Sequence, residues 1–90
     1  MDIQFTKQDD LWVAEFEVTG VFNLHIERNT EGRLDIYQKT AGTKPAYIHG
    51  TGFLDNYLVY DNDFSGFVYP KTIVIKSAVK PSVAVLTTNG

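Results

Sequence analysis

"LWVAEFEVTGVFNLHIERNTEGRLDIYQKT", residues 11 to 40, decides the fold class. Its apolar period is two from end to end. Trp12, Ala14, Phe16 and Val18 fall on one side of the first run, with Glu15 and Glu17 on the other. In the second run Phe22, Leu24 and Ile26 alternate with Asn23, His25 and Glu27. In the third, Leu34 and Ile36 alternate with Arg33, Asp35, Tyr37 and Lys39. Half-buried antiparallel strands need this alternation, because successive side chains point to opposite sides of the sheet. No segment carries the longer period of a helix.

The connections between the runs are short, Thr19-Gly20-Val21 and Thr30-Glu31-Gly32. If each pair of runs forms a hairpin, residues of one face must oppose one another. Phe16 then faces Leu24 and Val18 faces Phe22. In the second hairpin Ile26 faces Ile36, Leu24 faces Gln38 and Asn29 faces Arg33. Gly32 would close a three-residue loop in the left-handed conformation of a G1 bulge. The expectation is an N-terminal meander. On its polar side Glu15 would face His25, and His25 would face Tyr37. Glu27 would face Asp35, a like-charge pair relieved by Arg33 or, on a sharper reading, by a metal.

The rest of the chain continues in short strands. "AGTKPA" (41–46) is a loop by its Gly and Pro. "AYIHGTGFLDNYLVYDN" (46–62) holds two or three strands broken at Gly50, Gly52 and Asp55-Asn56, with His49 at a strand end. Thr72 to Ile75 is apolar on both sides, as in a central strand, and Pro70 marks its start. "KPS" (80–82) turns the chain and "VAVLTT" (83–88) is the last strand before a fraying end. The expected object is one all-β domain over residues 1–90, an antiparallel sandwich or small barrel of seven to nine short strands.

Ninety residues allow only a modest core, so packing, a ligand or association must supply any surplus stability. The chain has no cysteine, which excludes disulfides and thiolate metal sites. A net charge of −3 argues against nucleic acid as a partner. The charge is unevenly placed. Residues 1–40 carry eight acids and four bases, whereas residues 64–90 carry Lys71, Lys76 and Lys80 and no acid. Opposite-sign faces favour head-to-tail contact between copies. No signal peptide, membrane span or glycosylation sequon is legible, so the expectation is a soluble protein made in the cytoplasm.

"DNDFSG" (61–66) imitates the start of a calcium loop, with Asp61, Asp63 and Ser65 on alternate positions before Gly66. An EF-hand needs flanking helices and a glutamate at the twelfth loop position, which here is Thr72. The flanks are β-like, so the stretch reads first as a polar turn. A β-type calcium site would use Asp61, Asp63, Ser65 and Asp55.

No nucleophile–base–orienter set surrounds His25 or His49, and no Gly-x-Ser-x-Gly elbow holds a serine. Neither an enzyme nor a cofactor is expected. Tyr47, Tyr57, Tyr60 and Tyr69 cluster in the irregular second half, and exposed tyrosines anchor interfaces. With Lys71, Lys76 and Lys80 they form the expected partner interface. Trp12 and Phe16 are read as core. The leading expectation is a non-catalytic structural or interaction module that self-associates or docks on a larger assembly, concretely a phage decoration, connector or tail subunit. The alternatives are a carbohydrate- or calcium-binding β module using residues 55–69, and an acidic inhibitor of a foreign protein.

Overall fold

A computed structural model describes residues 2–20, 22–29, 32–39, 44–51, 57–62 and 70–88. Among these residues there are eight strands, β1 (Thr6–Gln8), β2 (Leu11–Val18), β3 (Phe22–Arg28), β4 (Leu34–Lys39), β5 (Ala46–Thr51), β6 (Tyr57–Asn62), β7 (Lys71–Ser77) and β8 (Pro81–Thr88). They form a five-stranded sheet in the order β1-β2-β7-β4-β5 and a three-stranded sheet in the order β6-β3-β8. Every strand pairing is antiparallel. The expectation of an all-β antiparallel domain holds, in its sandwich form. No strand ladder joins the sheets among the described residues, so the architecture is a sandwich and not a barrel.

Alternation put the right side chains inside. Ala14 and Val18 of β2, Phe22, Leu24 and Ile26 of β3, and Leu34 and Ile36 of β4 are buried together with Ile73, Ile75, Leu86 and Ile3. Both sheets contribute to this one cluster. Trp12 and Phe16, expected in the core, are half-buried instead, and Phe16 packs against the cluster's margin.

The pairing of the first three long strands differs from the meander. β2 lies beside β7, so Phe16 opposes Ile73 and Val18 opposes Lys71. β3 lies in the other sheet, where Leu24 opposes Tyr60 and Leu86. β4 returns to the first sheet, where Ile36 opposes Ile75. The chain therefore crosses the core between β2 and β3 and again between β3 and β4. Periodicity says which side of a strand faces the interior. It does not say whether the next strand lies alongside in the same sheet or across the core. β7 takes the place expected for β3, offering Ile73 and Ile75 to β2 and β4 alike. It is the central strand that its doubly apolar run implied.

Gly32 is also explained differently. It does not hold the left-handed backbone expected of a G1 bulge; it is required by space. A Cβ at Gly32 would lie 2.8 Å from Cγ2 of Val79 and 3.5 Å from Cβ of Ala78. The turn after β3 is packed onto the turn between β7 and β8. The Ala78 amide donates to the Arg33 carbonyl at 2.9 Å, and the Arg28 guanidinium donates to the Gly32 carbonyl. Ser77, fully buried, ties the second turn by donating its hydroxyl to the Val79 carbonyl at 2.6 Å. That turn spans Ala78 to Lys80, and β8 already begins at Pro81, one residue before the expected end of "KPS". β5 likewise runs through His49 and Gly50 to Thr51, so neither ends the strand.

The first hairpin joins β1 to β2 through Asp9 and Asp10, with Gln8 opposite Leu11. Asp9 has φ of 55°, a region that aspartate tolerates better than bulky residues do. Asp9→Gly is expected to raise stability by up to about 1 kcal/mol, and Asp9→Val to lower it by about 1–2 kcal/mol. Urea melts of the two variants check the ranking; equal stabilities would contradict the turn geometry. From β1 the chain also reaches back to the other sheet. Asp2 bridges Val85, and the Ile3 amide donates to the Ala84 carbonyl at 2.9 Å. This arm covers part of the β8 edge, a position that soluble proteins protect. Among the described residues no helix is long and apolar enough to cross a membrane.

Candidate functional site

The outer face of the five-stranded sheet collects the most chemistry. On β7 the residues Ile73, Ile75 and Ser77 point to the core, which sends Thr72, Val74 and Lys76 outward. The register sets Lys76 between Val13 and Asp35, Val74 between Glu15 and Tyr37, and Thr72 between Glu17 and Lys39. β5 extends the face by one strand, with Tyr47 opposite Tyr37. The register of this pair shifts between Ile36 and Tyr37, a bulge of the kind that re-aims side chains.

Three side chains stack there. The rings of Tyr37 and Tyr47 meet edge to face with centroids 5.9 Å apart. The Lys76 ammonium lies 5.2 Å from the Tyr37 ring centroid. The aromatic pair is worth about 0.5–1.5 kcal/mol beyond area burial, and the exposed cation–π contact about 0.5–1 kcal/mol. Tyr47 nonetheless remains 56% exposed. Val74 is buried beneath this layer although it lies outside the core cluster.

Charges around the stack are paired. Arg33 donates through Nε to Asp35 Oδ2 at 2.8 Å, and Lys39 Nζ lies 3.3 Å from Glu15 Oε1. The hydrogen bond to Asp35, with that carboxylate's charge, holds the Arg33 guanidinium above its ordinary pKa. Asp35 Oδ1 is buried with no hydrogen-bond partner among the described residues. Towards β1 the same face opens into a groove of about 460 Å³ lined by Gln4, Thr6, Gln8, Val13, Glu15, Pro45, Val74 and Lys76.

The polar cluster expected from the meander is not formed. Glu15 and Tyr37 sit on this face, whereas His25 lies in the other sheet, with Nε2 2.8 Å from Glu27 Oε2. Glu27 and Asp35 do not oppose each other, so no like-charge pair asks for a cation. Each has its own partner two residues earlier in the chain, His25 for Glu27 and Arg33 for Asp35.

Of the expected interface residues, Tyr47 and Lys76 share the face just described, joined through Tyr37. Lys80 lies at the turn before β8, with Nζ 5.2 Å from the Trp12 ring centroid, and Lys7 approaches the same indole at 6.0 Å. Lys71 is half-buried at the first position of β7. Tyr57 and Tyr60 belong to β6 in the smaller sheet, where their backbones oppose Glu27 and Leu24. Tyr69 lies outside the described residues, as do Asp55, Asp63, Ser65 and Gly66 of the calcium reading. Asp61 is inside β6, opposite Asn23. Among the described residues no three His, Asp or Glu side chains are placed to share a metal ion.

Sequence reasoning did not single out Tyr37, Arg33 and Asp35 as neighbours of Tyr47, nor the amides of the groove. The latter left a trace in "QFTKQ" (4–8), where Gln4, Thr6 and Gln8 recur at period two ahead of the first apolar strand. No family model, curated protein or solved structure matches the chain.

Proposed function

We propose that the chain is a non-catalytic structural or interaction module that associates with copies of itself, or docks on a larger assembly, through the outer face of the five-stranded sheet. The observation carrying this reading is Tyr47, an aromatic ring fixed against Tyr37 and still more than half exposed. A ring held in one orientation loses little conformational entropy when a partner covers it, and tyrosine is a preferred interface anchor. The neighbouring charges are already paired, which lowers the cost of excluding water from them. A virion is the concrete assembly proposed, with the chain as decoration, connector or tail subunit. Its support is the small size and all-β class of the domain. Lys80 beside Trp12, and Tyr57 at its outward register position on β6, would then meet other subunits.

Light scattering over a wide concentration series, with calcium and then with chelator, tests the reading. A discrete oligomer indifferent to calcium is expected. Tyr47→Ala should weaken its association by about tenfold or more. A chain that stays monomeric and docks on no larger particle would sink the proposal. A monomer that melts higher with calcium would favour a binding loop at residues 55–69 instead.

A further inference from the structure

The structure assigns a second binding site to the groove on the β1 side of this face, and we infer that its ligand is a neutral saccharide. The inference does not require docking through Tyr47, although the groove shares Lys76 and Glu15 with the face around that ring. Thr6 opposes Val13 and Gln8 opposes Leu11, so the β1 side chains Thr6 and Gln8 stand on the outward face beside Val13. Gln4 prolongs that wall. Val13 and the buried Val74 form the floor, and Pro45, Glu15 and Lys76 complete the lining.

The lining suits one ligand chemistry better than others. Two carboxamides and a hydroxyl both donate and accept hydrogen bonds, a carboxylate accepts, and an ammonium donates. Sugar hydroxyls also do both, so every lining group finds a complement. One carboxylate and one ammonium cancel, which gives an ionic ligand no net attraction. Each is also engaged already, Glu15 by Lys39 and Lys76 by the Tyr37 ring. An entirely apolar ligand would strip water from five polar groups without replacing their hydrogen bonds. A pyranose instead lays its C–H face on Val13 and Pro45, above the nearly covered Val74, and turns its hydroxyls to the walls. The volume of about 460 Å³ falls within the roughly 300–1,000 Å³ of small-ligand sites. The groove is open, which suits a stretch of glycan chain more than an enclosed monosaccharide.

The test is a titration of the full ¹⁵N-labelled chain with neutral trisaccharides (maltotriose, cellotriose, xylotriose and N,N′,N″-triacetylchitotriose) and with the anionic trigalacturonate, each up to the millimolar range. At least one neutral trisaccharide should shift the backbone amides of Thr6, Gln8, Val13, Val74 and Lys76. The double variant Gln4→Ala/Gln8→Ala should weaken that affinity by about tenfold. Both glutamines are exposed, so the fold should survive their loss. The inference is overturned if no neutral trisaccharide shifts these amides, if the shifts map elsewhere, if only trigalacturonate binds, or if the double variant binds as well as the parent.

Discussion

Ile75→Ala should lower the free energy of unfolding by about 2–5 kcal/mol. Ile75 is fully buried on the central strand of the larger sheet, between Ala14 of β2 and Ile36 of β4. Removing three carbons there leaves a cavity bordered on both sides by strands that cannot move closer without breaking their ladders. A domain of this length has about 5–13 kcal/mol of stability in all. The variant should therefore lose at least about 15% of the total and up to most of it, and its thermal midpoint should fall by at least about 8 °C. Urea melts followed by Trp12 fluorescence measure the loss. Ile75→Val should cost only about 0.5–1.5 kcal/mol. A loss under about 1 kcal/mol for the alanine variant would mean that β7 is not the strand on which the core is built.

That β7 is central was legible in the sequence, because Thr72 to Ile75 is apolar on both sides. The faces of β2, β3 and β4 were legible for a related reason: each strand separates its apolar and polar residues by parity. The partners of those strands were not legible. Whether Phe16 neighbours Leu24 or Ile73 is decided by a residue more than fifty positions away, and short-range pattern carries no trace of that competition. β1 was missed because Thr6, Lys7 and Gln8 are all exposed and offer no apolar side. It forms because the Asp9-Asp10 turn returns the chain against β2.

The candidate site inherits the same division. Tyr47 and Lys76 could be named from composition and position, as exposed aromatic and cationic residues of the second half. Their meeting over Tyr37 could not, since it depends on β7 lying beside β4 and on the bulge that sets Tyr47 against Tyr37. Pairing β3 with β4 had placed Tyr37 beside His25, which hid the stack. The wrong neighbours given to these strands thus displaced an entire surface, while the apolar stripes of β3 and β4 were still correctly assigned to the interior.

The corner where the turns after β3 and β7 meet provides the second large effect. Arg28 is the last residue on the inner stripe of β3, after Phe22, Leu24 and Ile26, and it is only 4% exposed. Its guanidinium donates to the carbonyl of Gly32, itself buried. Arg28→Ala should cost about 2–4 kcal/mol, through a charge-assisted hydrogen bond of about 1.5–3 kcal/mol and the packing of its stem. Arg28→Lys should recover only part of this, because an ammonium lacks the planar fork that reaches the carbonyl. Gly32 supplies a test of sign. A glycine without left-handed backbone ordinarily gains about 0.4–1 kcal/mol on replacement by alanine, because the unfolded chain loses freedom. Here the new methyl would meet Val79 Cγ2 at 2.8 Å, so Gly32→Ala is expected to destabilise by about 1–3 kcal/mol. Val79→Ala in the same chain should remove most of that penalty. A double-mutant cycle would then show a coupling of at least about 0.5 kcal/mol between the two positions. Stabilisation by Gly32→Ala alone, with no coupling to Val79, would mean that the two turns do not pack against each other.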